Sequence, residues 1–153
     1  MILPKTLITW LPLAVGNVAA DPAPPAMNFL YSVNLTFNAL TTLNIGNTSM
    51  GRRVAYPISG GTFVGPNMIG KALYGLDWGL SDFNGAFRED TVYYLQTDDG
   101  ALIYVRANGI RKNVHHVFET SSVRYAWLNT AVGFAQGRQF KGGVGLDVWQ
   151  MGI

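Results

Sequence analysis

The sequence predicts an all-β fold, a single small closed antiparallel barrel or sandwich, and three observations carry that reading. From Phe29 onward apolar residues recur at every second position. Gly and Pro signals punctuate the chain at a spacing of roughly 8–12 residues, as short strands joined by tight turns require. The composition, 48% hydrophobic and 13% charged with 18 Gly and 7 Pro, suits a turn-rich β protein rather than a helix bundle. At 153 residues the chain has the length of one domain.

Taken in order, residues 1–20 read as a secretory signal, with a retained amphipathic extension as the competing reading. Lys5 supplies the positive start, Thr6 to Ala19 is largely apolar, and Val18-Ala19-Ala20 offers the small residues a signal peptidase reads. Pro12 and Asn17 break the apolar run, which is too short to span a bilayer, so the mature form is expected off the membrane. A secretory signal places it in the secretory pathway or secreted, and it is otherwise expected in the cytoplasm. The sequons Asn34-Leu35-Thr36 and Asn47-Thr48-Ser49 agree with that route. Residues 21–28, with Asp21-Pro22-Ala23-Pro24-Pro25, form a stiff spacer, and residues 29–153 are expected to make the barrel domain.

Phe29, Tyr31, Val33, Leu35 and Phe37 alternate with Leu30, Ser32, Asn34 and Thr36 in the first strand. Gly51 to Ile58 is the second, stopped by Pro57 and Gly60-Gly61; Thr62 to Val64 and Asn67 to Tyr74 follow, broken by Gly65-Pro66. Thr91 to Thr97 and Ala101 to Asn108 flank Asp98-Asp99-Gly100, a triplet suited to a type I turn closed by a left-handed Gly. Val114 to Glu119, Thr130 to Ala135 and Val144 to Met151 complete the strands. The one helical turn expected is Val123 to Asn129, opened by Ser121-Ser122.

Function classes fall away on composition. Eleven Lys and Arg against nine Asp and Glu leave +2 with no basic run, which excludes a phosphate-tracking nucleic-acid surface. The same low charge leaves apolar surface uncovered, so a homo-oligomer is expected. With no Cys there is no disulfide, thiolate metal site or cysteine nucleophile. His115 and His116 are adjacent, so a strand sends them to opposite faces, and no metal is expected. No Gly-x-Ser-x-Gly elbow occurs, and Gly60-Gly61 precedes a β run rather than a helix, so hydrolase and dinucleotide readings lapse.

The predicted hairpin is the most legible piece. A three-residue loop pairs Gln96 with Leu102, Tyr94 with Tyr104 and Val92 with Arg106 on one face. Tyr93, Leu95, Ile103 and Val105 share the other face, an ordinary core surface. The strip with Tyr94, Tyr104 and Arg106 is then either the wet exterior or the wall of a ligand cavity. Among the carboxylates, Asp77 precedes Trp78 at a strand end, Asp82 and Asp90 read as loop residues, Glu89 lies beside Arg88, and Asp98 and Asp99 serve the turn. Glu119 ends a strand before Thr120-Ser121-Ser122; partly buried it would be a proton donor, otherwise a helix-end contact or a surface ion pair. Asp147, alternating with Leu146 and Val148, points either to solvent or into a polar lumen.

Several strings in sequence resemble the domain-of-unknown-function family 3237 over about residues 29–151. They are Arg52-Arg53, Pro57-Ile58-Ser59-Gly60-Gly61-Thr62-Phe63, Gly65-Pro66, Asp77-Trp78, Thr97-Asp98-Asp99-Gly100-Ala101, Ile103-Tyr104-Val105-Arg106, Phe118-Glu119-Thr120, Tyr125 and Trp127-Leu128-Asn129. The resemblance implies a calycin-like barrel. It also implies, by analogy with fungal members in aromatic polyketide pathways of phenalenone type, a cofactor-free cyclase of isomerase or lyase kind. Such an enzyme closes a cyclic ether of dihydrobenzofuran type on a prenylated phenol by intramolecular hydroalkoxylation. That reaction needs an acid for the alkene, a group to hold the phenol oxygen, and aromatic walls for the cation. The side-chain inventory then nominates Glu119 or Asp77 as the acid and Arg106, with Tyr104, at the oxygen. Tyr94, Trp78, Trp127, Arg53 and Asn129 are nominated against an aromatic small-molecule substrate. The alternative is a non-catalytic binder or carrier of an apolar aromatic molecule in the same barrel.

Overall fold

The computed structural model describes residues 21–152. The leader read in residues 1–20 therefore lies outside the described residues. Nine strands follow the spacer: β1 (Met27–Phe37), β2 (Leu43–Thr48), β3 (Gly51–Val64), β4 (Ile69–Ser81), β5 (Phe87–Thr97), β6 (Leu102–Ile110), β7 (Asn113–Glu119), β8 (Val132–Phe140) and β9 (Gly143–Met151). All pair antiparallel in the order β1-β9-β8-β7-β6-β5-β4-β3-β2, and a β1–β3 pairing closes eight of them into a barrel with β2 outside it. Short 3-10 segments sit at Ala39–Thr41 and Val123–Thr130.

The sequence expectation of a strand stopped at Pro57 and Gly60-Gly61 is overturned: β3 runs through all three residues. Its first half pairs with β2 (Leu43↔Ala55) and its second with β1 (Phe37↔Ile58), so its partner on that edge changes between positions 55 and 58. Pro57 falls in that gap, where no ladder asks it for an N–H, while its carbonyl accepts from the Asn38 N–H at 2.8 Å. Gly60 has φ 149° beside a register shift in the β1–β3 ladder, and any Cβ on Gly61 would collide with the Asn34 carbonyl of β1. These glycines let β1 approach closely enough to close the sheet. β2 had no counterpart in the sequence reading because Leu43 and Ile45 are exposed and its period-two pattern carries no buried face.

Further boundaries move, among them the end of β8, which runs past Ala135 to Phe140. β4 continues past Tyr74 to Ser81, placing Asp77 inside a strand rather than at its end, and β5 starts at Phe87, placing Asp90 in a strand rather than a loop and Glu89 in the same strand. The predicted β5–β6 hairpin appears with its predicted register, Gln96↔Leu102, Tyr94↔Tyr104 and Val92↔Arg106. Gly100 takes φ 88° and the Thr97 N–H donates to the Ala101 carbonyl at 3.0 Å.

The barrel is filled at one end. Tyr31, Val33, Phe63, Leu95, Ile103 and Phe118 are buried there, and the 3-10 segment Val123–Thr130 closes it with Tyr125 and Leu128. The hairpin tip reaches the same end, where Asp99 accepts from Arg124 at 2.9 Å and from the Tyr125 hydroxyl at 3.3 Å. At the other end, ringed by the β4–β5, β6–β7 and β8–β9 turns, the barrel is open.

Candidate active site

The open end leads into a cavity of 870 Å³ whose wall is built by strand alternation. On β3 the inward residues are Tyr56 and Ile58, on β4 Asp77, and on β5 Phe87, Glu89 and Thr91. Register aligns them: Tyr56 pairs with Asp77 and Asp77 with Thr91. Phe37, Tyr56 and Phe87 make a continuous aromatic wall, with ring centroids 5.5 Å and 6.4 Å apart in succession. Leu35, Val144 and Leu146 supply apolar lining from β1 and β9.

Two carboxyl groups thus enter one largely apolar lumen. Asp77 is 6% exposed, and its Oδ1 has no hydrogen-bond partner. Burial pushes its carboxyl above the usual range, opposed by the Thr91 hydroxyl and the Asp90 backbone; the Asp90 charge adds to the rise and Arg53 subtracts from it. Glu89 is raised further, to about 7, first by burial and then by the negative charge of Asp77. Neighbouring carboxyls whose environments separate their proton affinities are the arrangement from which acid–base pairs are built. Near neutral pH Glu89 still carries a proton in about half of the molecules.

Of the residues nominated from the sequence, Asp77 reaches the cavity and the others do not. The two faces of the β5–β6 hairpin were left open by the sequence. Tyr93, Leu95, Ile103 and Val105 are fully buried inside, so Tyr94, Tyr104 and Arg106 face outward. There Tyr94 packs between Tyr74 and Tyr104, and Arg106 lies 3.4 Å from Asp90 on the barrel exterior, so it holds no oxygen in the lumen. Glu119 is exposed at the end of β7, remote from the open end. Trp78 alternates outward from Asp77, and its carbonyl accepts from the Arg53 guanidinium at 2.8 Å. Trp127 is exposed on the segment that closes the filled end, and Asn129 clamps Thr120 there, accepting from its N–H at 2.7 Å and donating to its carbonyl at 3.0 Å. Asp147 also faces out, accepting from Ser32 and, at 2.8 Å, from Arg138.

Glu89, Tyr56 and Phe87 were missed. The signal was present: counting back in twos from core Tyr93 gives Thr91, Glu89 and Phe87 on the inner face. The Arg88-Glu89-Asp90 charge run hid it by resembling a loop. His115 and His116 do take opposite faces; His116 is fully buried, stacks on Phe118, and burial lowers it to about 4. Among the described residues no three His, Cys, Asp or Glu side chains converge as metal ligands.

The chain is similar to known proteins over most of its length. It is 29% identical over 145 residues to the hydroalkoxylation enzyme phnH of Penicillium herquei, covering 95% of this chain and 96% of that protein. Among solved structures, an enzyme from Penicillium herquei superposes with a TM-score of 0.79 at 29% identity, covering 88% of this chain and 100% of the other. A β-barrel-like protein from Acinetobacter baumannii gives a TM-score of 0.81 at 31% identity, over 87% of this chain and 99% of the other. The near full-length likeness to a hydroalkoxylation enzyme supports an enzymatic function of cyclase type. The sequence profile of the family described as protein of unknown function DUF3237 matches residues 25–117, and the chain belongs to that family.

Proposed function

We propose that this protein is a cofactor-independent cyclase that closes a cyclic ether on a prenylated phenolic substrate by intramolecular hydroalkoxylation. The observation that carries the reading is the buried Asp77 Oδ1, which lacks a partner in the same apolar lumen that holds Glu89. A buried carboxylate oxygen left without a hydrogen bond costs free energy, and a phenol O–H supplies the missing donor. Glu89, holding its proton near neutral pH, transfers it to the alkene carbon. The phenol oxygen attacks the cation so formed, and its proton passes to Asp77. Proton transfer from Asp77 back to Glu89 restores the starting state, so the product is an isomer of the substrate. Phe37, Tyr56 and Phe87 present π faces to the cation and limit its capture by water.

The test is turnover of a panel of prenylated phenols by the purified protein, read as isobaric products after chiral separation. In deuterium oxide the product should gain one deuterium on the protonated carbon. Glu89→Gln and Asp77→Asn should each lower kcat by about 10²–10⁴-fold, the usual worth of a positioned acid or base. Tight binding without mass-neutral conversion across the panel would make the barrel a carrier instead.

A further inference from the structure

The cavity is electrically polarised along its length. Its carboxyls sit on the inner wall, whereas cations gather at the mouth: Arg111 and Lys112 in the β6–β7 turn, and Arg138 on β8. Arg138 is committed, 2.8 Å from Asp147 and 3.2 Å from the Asn34 side-chain oxygen. Arg88, near the same end, is committed to Asp82 at 3.2 Å. Among the described residues Arg111 and Lys112 form no ion pair.

Nor is their turn a free arm. Arg111 holds φ 62°, a left-handed conformation, and its backbone N–H donates to the Phe87 carbonyl at 2.7 Å. Phe87 is the aromatic wall residue one pleat nearer the mouth than Glu89, so the backbone that carries the two cations is held at the rim beside that wall. A ligand anion is repelled from the Asp77 level and attracted at the rim. An uncharged, apolar end has the reverse preference, because the inner wall offers it carbon contacts.

We propose that Arg111 and Lys112 form an anion-recognition subsite that selects aromatic substrates bearing a delocalised oxyanion, a phenolate, enolate or carboxylate. The subsite orients them with that charged oxygen at the mouth and the uncharged prenylated phenol, whose O–H donates to Asp77, inward. The proposal rests on the reading of this cavity as the site for an aromatic small molecule, and it adds the charge and the direction of entry.

Two fluorescent probes that differ by one anionic group test it on the full chain: 8-anilinonaphthalene-1-sulfonate and the uncharged N-phenyl-1-naphthylamine. The sulfonate should bind about tenfold more tightly, with an advantage that shrinks as sodium chloride is raised. Arg111→Gly combined with Lys112→Gln should erase that advantage and leave the neutral probe's affinity unchanged. Gly suits φ 62°, so the variant should keep its Tm. Equal affinity for the two probes, or a sulfonate preference that survives the double substitution, overturns the proposal. Absence of turnover with the probe preference intact would refute the cyclase and leave the subsite standing.

Discussion

Asp77 and Glu89 stand on the inner faces of adjacent strands, and the charge of the first helps hold the proton on the second. Their relationship follows from the β4–β5 register. Asp77 pairs with Thr91, and Glu89 lies two residues earlier on the same side of β5. Much of the proposed chemistry depends on that pairing.

Activity should fall as pH rises through about 7, because ionisation removes the proton from Glu89, the proposed donor. Asp77→Asn deletes one of the two causes of the raised value. The alkaline limb of whatever turnover remains should then move to lower pH, while burial keeps it above the ordinary Glu range. A pH–rate profile of both proteins checks this; an unmoved limb would remove Asp77 as the neighbour that matters.

Glu89→Gln should make the barrel more stable at pH 8 and leave it unchanged near pH 4. A carboxyl raised to about 7 from 4.5 binds more protons folded than unfolded across that window, so its ionisation lowers stability as pH rises. Below the unfolded value both states are protonated and the difference vanishes. With solvent screening of a partly exposed group, the gain at pH 8 is about 1–2 kcal/mol, readable as a higher denaturation midpoint. A substitution that destabilises equally at both pH values would mean that the carboxyl makes packing contacts only.

Arg106→Ala should leave turnover intact and change stability by no more than about 0.5 kcal/mol. Its guanidinium is half exposed, and its partner Asp90 retains the Asn108 amide at 2.7 Å. Steady-state kinetics and a urea melt measure both quantities. A hundredfold loss of activity would return the outer strip to consideration as the site.

The Tyr31 and Tyr93 hydroxyls share one hydrogen bond of 2.9 Å in the filled end, and both residues are fully buried. Tyr31→Phe leaves the Tyr93 hydroxyl without its partner and should cost about 1–3 kcal/mol. Adding Tyr93→Phe removes the orphaned group and should recover part of the loss. A double-mutant cycle by denaturant melts gives the sign; strictly additive losses would show that the hydroxyls act independently.

Alternation and turn chemistry are local properties, and the sequence by itself determined what depends on them. Tyr31 to Leu35 had to be a strand with one buried face, although a bulge between Phe29 and Tyr31 buries Leu30 and leaves Phe29 exposed, against the expected alternation. Asp98-Asp99-Gly100 had to set the register that pairs Tyr94 with Tyr104. The strings shared with the family carried the barrel. Closure decided the rest, because it depends on contacts between residues far apart in the chain. Gly61 reads as a breaker until β1, from the opposite end of the sheet, needs to pass over it without a Cβ. Pro57 reads as a stop until β3 changes partners at that position. The inward face of the hairpin, and with it the exile of Arg106 from the cavity, was settled when Tyr93 and Val105 met the core. Glu89 holds its proton near neutral pH only because eight strands enclose it and withdraw it from water. Its raised proton affinity is a property of that enclosure and of Asp77 across the ladder, and neither is written in its neighbours Arg88 and Asp90.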